Sequence, residues 1–457
     1  MTSSTASLAA REPLEAVSER RWLGRGWSFY LILALALIPV INPTGPSQLI
    51  LVDPINFLAL AIFFVAVLAG RLPIRFPIAL PVFVALMGSV LAMSAAASVS
   101  YGVLALVKDA YLYLWFVALV TLLEPRGSLL GVRKAWVWVA CLETVFIVVQ
   151  AIAVQHLSQH EVQVDRRRFR AVGTFTNPNM LADYMMVSIF VLLGLAREVR
   201  WWLLAPAFAL IVLGMVTTKS NGGLMSLLAG LATWAVAWAW TGGVRRDQLS
   251  GVLMFGVAAV IAATWAHAEF GLGDQVVRQI EAHSYMGSMG NSNDQREQIW
   301  HRLGDMMSKH PFGIGPKQSS QQELQIGERE RPESFGSKEA HDDYLAFLVE
   351  RGPLGLLGLL IGFGMVVAMV LGARARIVQR LGDPEVGTAL WAACVGGLAA
   401  SSVHSLVIEK LHFRHFWFFF AILTTLCAPA PAAKEPAPAP AVRDARWAKA
   451  RLATREA

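Results

Sequence analysis

Long apolar runs separated by short polar turns make up most of this chain. The runs measure roughly 16 to 25 residues, the length at which an α-helix crosses a hydrocarbon core of ~30 Å. Strand-type alternation over ~10-residue segments is absent, which argues against an outer-membrane barrel. The pattern predicts an all-α fold, a polytopic integral membrane helical bundle of about 12 transmembrane helices. The predicted spans are approximately 27–41, 47–69, 77–95, 103–123, 135–155, 178–196, 201–217, 222–241, 250–267, 342–371, 387–405 and 411–427.

Polar stretches divide the chain into three predicted regions. We predict an N-terminal segment over 1–26, a membrane domain over 27–427 and a tail over 428–457. Within the membrane domain, polar loops cover 156–177 and 268–341, and the second is a long loop between the ninth and tenth spans. The tail begins APAPAAKEPAPAPA, a composition that predicts an extended linker, and it ends in a basic stretch. We expect this tail to lie on the cytoplasmic membrane face.

Composition and charge agree with a membrane protein. Only 16% of the residues are charged and 55% are hydrophobic, whereas a soluble protein carries about 25% charged residues. We attribute the net charge of +7 to loops that face anionic lipid, and we expect no nucleic-acid partner. Cys141, Cys394 and Cys427 lie inside apolar runs, so we expect small hydrophobic side chains rather than a disulfide or a metal site.

Lysine and arginine in the short loops predict the orientation of the helices, because cytoplasmic loops carry an excess of both. In one alternating set of loops, INPTGPSQ and AAASVSYG contain no basic residue, TTKSNGG contains Lys219, and the turn before the last span contains Lys410. The other set is basic, and we predict that it is cytoplasmic together with both termini. Its basic residues are Arg71, Arg75, Arg126, Arg133, Lys134, Arg197, Arg200, Arg245, Arg246, Arg374, Arg376 and Arg380.

This orientation places an arginine cluster, DRRRFR at 165–170, on the periplasmic side. One interpretation is that translocated charge is tolerated once neighbouring helices fix the topology; the other is that the cluster holds an anionic ligand. In the following GTFTNPN, Gly173 permits an unusual backbone angle, Asn177 can cap the next helix and Pro178 suits its first turn. Arginines beside a helix N-terminus are suited to a phosphate or diphosphate group.

The long loop contains two further groups of interest. From Arg296 to about Lys309, apolar residues recur at helical spacing, which predicts an amphipathic helix on the membrane surface. The proline and glycines of HPFGIGP then end this helix. His341 stands just before the tenth span, where an imidazole could remove a proton from a hydroxyl or could have a structural role alone. Asp342 and Asp343 could orient this histidine or could cap the helix.

Three motifs occur in order on one predicted side of the membrane: GTFTNPNMLADY, the R-x-x-x-W of Arg296 to Trp300 followed by HPFGIGP, and HDDYLAFLVERGPLGLLG. Together they resemble the O-antigen ligase and polymerase superfamily. The resemblance implies a glycosyltransferase of the bacterial inner membrane whose active site faces the periplasm. It implies a donor glycan linked to undecaprenyl diphosphate, and an acceptor that is a growing glycan or lipid A core. It also implies catalysis without a metal or another cofactor.

The same resemblance assigns roles to individual residues. By position in the motifs, Arg170 and Arg296 would engage the donor diphosphate and His341 would act as the catalytic base. After the seventh span the family often has a Ser-Arg-Gly turn, whereas this chain has Asn221 at the arginine position, and Lys219 would supply the charge. The candidate substrate-binding residues are Arg168, Asn177, Lys219, Arg302, Asp342 and Tyr344.

Several alternatives are open at this point. A transporter of a small anion or lipid-linked glycan would place ionisable groups near the bilayer midplane, and Lys108 and Asp109 could pair inside the fourth span. A metal-dependent glycosyltransferase would use Asp53, and a non-catalytic assembly subunit would leave the arginine cluster unexplained. A spacing typical of polymerases occurs from Arg302 to Gly313, but chance produces it often, so ligase and polymerase stay open. The expected partners besides substrates are the lipid bilayer and other polysaccharide-assembly proteins.

Overall fold

The computed structural model describes residues 14–40, 50–124, 126–157, 171–175, 177–241, 300–319 and 342–428. All regular secondary structure in these ranges is helical. The described residues up to Cys427 belong to one compact unit. The helices are α1 (Leu14–Leu37), α2 (Val52–Leu68), α3 (Ala79–Ala92, followed by a 3-10 turn at Met93–Ala95), α4 (Val99–Leu122), α5 (Arg126–Leu157), α6 (Pro178–Leu193), α7 (Trp201–Thr217), α8 (Asn221–Trp240), α9 (300–309), α10 (Asp343–Leu371), α11 (Arg374–Leu381), α12 (Pro384–His404) and α13 (Arg414–Cys427).

The predicted spans correspond closely to these helices. The ninth span, 250–267, lies outside the described residues, and a helix occurs at each of the other eleven. Four helices (α4, α8, α10 and α12) are long and apolar enough to cross a membrane, and shorter apolar helices accompany them. The all-helical fold is confirmed, whereas the total of 12 spans and the periplasmic loop remain predictions. The hydrophobic pattern does not predict α11, because its sequence RARIVQRL is largely polar.

Glycines allow two pairs of helices to pack closely. α3 runs along α10, and a Cβ added at Gly88 or Gly358 would collide with the backbone of the partner helix. α8 runs along α12, with Gly230 against Gly396. Small residues at such crossings bring helix backbones together and so increase the van der Waals contact between them. The largest fully buried side chains of the core include Trp115, Trp136, Tyr184, Phe63 and Phe116.

α10 consists of two parts joined at a sharp bend. Gly352 has φ +69° and ψ −176°, outside the helical range, and Pro353 follows it. A Cβ at position 352 would collide with the backbone of Phe312, so both the backbone angle and the available space require glycine. The helix and candidate membrane span predicted over 342–371 are present, but the sequence analysis did not predict this bend. The first part of α10 (343–351) precedes the bend, and the second part (353–371) follows it.

Carboxylates collect at one end of the bundle, which we call the carboxylate end. It contains Asp53, Asp183 and Asp343, and all three contact the chain between Lys410 and His415. The connections that form this end are those predicted to be periplasmic. They include the turns before α6 and α8 and the linker between α12 and α13.

Arginines collect at the opposite end, the arginine end. Arg133 pairs with Glu198 at 2.7 Å, and Arg380 donates a hydrogen bond to the Glu124 carbonyl at 2.9 Å. The loops at this end are those predicted to be cytoplasmic. The two sets of loops that charge distinguishes therefore lie at opposite ends of the bundle.

Candidate functional site

Four predicted site residues, Arg168, Arg170, Arg296 and His341, lie outside the described residues. Their roles therefore stay predictions. The structure describes the other five predicted site residues, Asn177, Lys219, Arg302, Asp342 and Tyr344.

Asn177 begins α6 as the sequence predicts. Its side-chain oxygen accepts the backbone N–H of Asn179 at 2.8 Å, and Pro178 occupies the first helical position. This contact satisfies one of the donors that every helix start leaves open. Asn177 is thus the N-cap of α6, and a contact with substrate remains a prediction.

A buried glutamate holds the turn before α6. Gly173 has φ +58°, and a Cβ there would overlap the carboxylate of Glu143 on α5. This carboxylate accepts the Thr174 backbone N–H at 2.6 Å, and its second oxygen lies 2.8 Å from the Thr174 hydroxyl. In the sequence, Glu143 is an isolated charge inside an apolar run. Its contacts show that it orders the GTFTNPN turn.

The turn between α7 and α8 lies beside the start of α6. Lys219 has φ +51°, an uncommon value for a residue with a side chain, and its side chain is exposed. Ser220 caps α8 by accepting the Gly223 N–H at 3.2 Å, and its hydroxyl donates to Asn179 Oδ1 at 3.0 Å. Lys219 therefore places a positive charge in the α7–α8 turn, which the Ser220–Asn179 hydrogen bond links to the start of α6.

The HPFGIGP turn packs against the bend in α10. The N–H groups of Ile314 and Gly315 donate to the carbonyls of Val349 at 3.0 Å and Glu350 at 2.9 Å. In an unbroken helix the Val349 carbonyl would accept from residue 353, but that residue is proline and has no N–H. The turn thus supplies hydrogen-bond donors that the bend removes from the helix.

α9 packs against the first part of α10. Leu303 and Met306 are buried and form one apolar cluster with Ala346 and Val349. Leu303 and Met306 therefore face protein, contrary to the prediction of a stripe that lies on the membrane, whereas Trp300 of the same stripe is exposed. Arg302 lies on the same helix and is half-buried.

Asp342 is the N-cap of α10. Its Oδ1 accepts the N–H of Tyr344 at 2.8 Å and that of Leu345 at 3.0 Å. The hydroxyl of Tyr344 lies 3.4 Å from the Ser402 carbonyl. Of the two interpretations of Asp342, these contacts support helix capping. His341 immediately precedes this cap in the sequence.

A buried cluster that sequence reasoning missed surrounds Asp183. This carboxylate lies 2.6 Å from Nδ1 of His404, 3.2 Å from Nζ of Lys410 and 2.9 Å from Nε2 of His415. All four residues are at most 1% exposed. The only sequence signal was the presence of basic residues at the edges of apolar runs, and His404 is 221 positions from Asp183. Lys410 is therefore a core residue rather than the loop charge it resembles in the sequence.

Two further ion pairs involve carboxylates whose partners the sequence analysis did not identify. Arg414 contacts both oxygens of Asp53, at 2.7 and 3.1 Å, so a guanidinium neutralises the carboxylate considered for a metal-dependent activity. Arg351 on α10 pairs with Asp109 at 2.6 Å. Asp109 thus pairs across helices rather than with the adjacent Lys108.

A groove lies between α3, α4, α10 and α13, next to the bend. It encloses about 1050 Å³ of empty space, part of which is open to the surroundings. Its lining is mostly apolar and aromatic, and two ion pairs, Arg351 with Asp109 and Lys317 with Glu409, lie on its border. Such a groove suits an amphipathic molecule. Apolar lining residues include Pro81, Leu359, Phe363, Phe416, Trp417 and Phe420.

Comparison with known families finds that residues 206–360 match the family model described as O-antigen ligase. This match supports the resemblance of the chain to the O-antigen ligase superfamily. The O-antigen ligase match covers about a third of the chain, from within α7 to the second part of α10. It includes Arg296 and His341, whereas Arg168, Arg170 and Asn177 precede it. No curated protein matches the chain.

The O-antigen ligase match, together with the apolar helices, indicates an integral membrane protein, and the match suggests a glycosyl-transferring enzyme. In the part of the chain that the structure describes, no group of three or more His, Cys, Asp or Glu side chains could hold a metal ion.

Proposed function

We propose that this protein transfers a glycan from an undecaprenyl-diphosphate-linked donor to an acceptor hydroxyl. The acceptor is a growing surface polysaccharide or lipid A core, and the reaction takes place at the periplasmic face of the bacterial inner membrane. The single observation that carries this proposal is the family match over residues 206–360, which includes the Arg296 and HDDYL motifs.

The proposed chemistry needs cations and a base. Departure of the sugar leaves a diphosphate with additional negative charge, which Arg170 and Arg296 would stabilise in the transition state. His341 would accept the proton of the attacking hydroxyl. Arg168, Lys219 and Arg302 would contribute further positive charge to the donor site. The proposal involves neither a metal nor another cofactor.

The groove beside the α10 bend supports a substrate with a lipid part. Its apolar and aromatic lining would accommodate hydrocarbon, and its charged border would adjoin the polar headgroup. Asp109, Asp53 and Asp183 each pair with a cation from a distant part of the chain. This pairing gives no support to the alternative of a transporter.

The test uses the purified protein in liposomes with a lipid-linked glycan donor and an acceptor glycan. We expect Arg296→Ala and His341→Ala each to lower the transfer rate by on the order of 100-fold to 10,000-fold. Arg374→Ala, which changes an exposed arginine near the arginine end, should retain the wild-type rate. Wild-type transfer by His341→Ala would exclude His341 as the base.

A deletion strain distinguishes the two acceptor classes. If the enzyme is a polymerase, the strain should display single-repeat or short-chain glycan. If it is a ligase, full-length polymer should accumulate on the carrier lipid. An unchanged glycan profile, both on the surface and on the carrier lipid, would contradict both versions of the proposal.

A further inference from the structure

The completely buried carboxylate of Asp183 is connected to the start of α10 through Lys410. Asp183 accepts from the Lys410 ammonium at 3.2 Å, and the same ammonium donates to Ser401 Oγ at 2.5 Å. The Lys410 side chain is fully buried, with its Nζ 5.2 Å from the centre of the Phe416 ring. The polar contacts of its ammonium group therefore hold the Lys410 side chain in the core.

The backbone of the same linker binds the first residue of α10. Asp343 Oδ1 accepts the N–H groups of Lys410 at 3.0 Å and Leu411 at 3.3 Å, and the Asp343 N–H donates to the Ser405 carbonyl at 2.8 Å. Asp343 is 2% exposed. These three hydrogen bonds tie the start of α10 to the α12–α13 linker.

Charge explains why this arrangement depends on Asp183. A buried ammonium is strongly unfavourable unless an anion pairs with it. Asp183 neutralises Lys410, and the two imidazoles of His404 and His415 satisfy its remaining acceptor positions. Without the carboxylate, the Lys410 side chain would be driven out of the core, and the linker backbone would move with it.

We propose that Asp183 is a positioning residue for the glycosyl-transfer site: through Lys410 and Asp343 it fixes the start of α10 and hence the position of His341, two residues before Asp343. This inference rests on the proposed function insofar as His341 is taken as the base. Asp183 itself touches no substrate. The bend at Gly352 makes such support necessary, because the first part of α10 is not a rigid continuation of the second part.

The experiment compares Asp183→Asn with the double variant Asp183→Asn/Lys410→Met. The double variant removes both buried charges and leaves a side chain of similar length, so it should regain the thermal stability that Asp183→Asn loses. In the double variant the apolar methionine at position 410 should stay in the core, so the linker backbone should still donate to Asp343. We therefore expect Asp183→Asn to lower kcat by on the order of tenfold to 100-fold, with KM within about twofold, and the double variant to recover most of the wild-type kcat.

The matched control is the buried ion pair at the arginine end. Glu198→Gln and Glu198→Gln/Arg133→Met alter a pair of similar geometry (2.7 Å, with side chains 3% and 14% exposed) that is not connected to α10. Both control proteins should keep the wild-type kcat per folded molecule. A loss of kcat in the controls equal to that in Asp183→Asn would mean a general effect of buried charge, and would overturn the inference.

Hydrogen–deuterium exchange gives a readout that does not depend on activity. In Asp183→Asn, the amides of residues 344–349 should exchange on the order of tenfold faster, whereas those of 355–370 should be unchanged, and the double variant should return exchange over 344–349 toward the wild-type rate. Unchanged exchange over 344–349 in Asp183→Asn, or a wild-type kcat in that variant, would overturn the inference. Absence of glycosyl transfer by the wild-type enzyme would instead contradict the proposed function and leave the exchange result to decide the positioning role.

Discussion

Asp342 holds the first turn of α10 with one carboxylate oxygen that accepts two backbone N–H groups. Asp383 does the same at the start of α12, where it accepts from Glu385 at 2.8 Å and Val386 at 3.1 Å. The two caps are thus nearly identical in geometry. Only Asp342 is adjacent to His341 in the sequence. A comparison of variants at the two caps therefore separates the effect of losing a helix cap from an effect on the proposed active site.

We expect Asp342→Ala and Asp383→Ala to lower the free energy of unfolding by a similar amount, about 1 kcal/mol each. Transfer activity should fall only in Asp342→Ala, because only that variant loosens the turn next to His341. Thermal unfolding in detergent and the transfer assay measure the two effects.

Asp342→Ser provides the decisive comparison, because serine caps helices but cannot orient an imidazole as a carboxylate does. If Asp342 acts as a cap, Asp342→Ser should retain most of the activity. An activity as low as that of Asp342→Ala would show that the carboxylate itself is needed.

Residue-level predictions from the sequence were accurate where the interaction is local. Asn177 caps α6 through Asn179, two positions away, and Gly173 adopts the positive φ that its residue type allows. The Asp183 cluster could not be predicted in the same way. Its contacts join α6, α12, the linker and α13, and no periodicity in the sequence indicates which buried charges will meet.

At the scale of the helix, the bend in α10 separates the part that carries the HDDYL motif from the part that packs along α3. The apolar run predicted one span because α10 is strongly hydrophobic over most of its length. The Gly352–Pro353 pair is the local signal for a break, since proline removes a donor and glycine allows the positive φ. The pattern of hydrophobicity gave the extent of α10 but not its shape.

Substitution of Gly352 tests the importance of the bend. We expect Gly352→Ala to destabilise the protein by about 2 kcal/mol or more and to reduce activity, because the new Cβ meets both an unfavourable φ and the Phe312 backbone. Gly382→Ala is the matched control, since Gly382 has φ +76° but no atom within 4 Å of its Cβ position. Thermal unfolding and the transfer assay should show a smaller loss for the control.

A similar loss of stability in Gly352→Ala and Gly382→Ala would mean that backbone strain alone decides the cost. In that case the close contact between the HPFGIGP turn and the bend would have no measurable energetic role.

At the scale of the whole molecule, the loops sort into two sets at opposite ends, as the distribution of lysine and arginine predicted. The side of the membrane that each end faces remains a prediction, and cysteine labelling can test it. All three native cysteines are free and buried, so they should give little background. Ser308 on α9 and Arg374 on α11 are both exposed and lie on loops predicted to face opposite compartments.

In spheroplasts, a membrane-impermeant maleimide should label Ser308→Cys directly and should label Arg374→Cys only after the membrane is permeabilised. The wild-type protein serves as the unlabelled control. The reverse pattern would place the carboxylate end in the cytosol and exclude a periplasmic active site.

The second part of α10 contains roughly 19 residues and extends over ~28 Å, which by itself nearly equals the hydrocarbon thickness of a bilayer. We therefore expect the nine or so residues before Gly352 to lie outside the hydrocarbon, at the depth of the lipid headgroups. The proposed polyprenyl donor would change from hydrocarbon to phosphate at that same depth. The bend in the helix would therefore set the depth of the catalytic motif in the bilayer. The thickness of the bilayer would then bring the motif level with the bond that reacts.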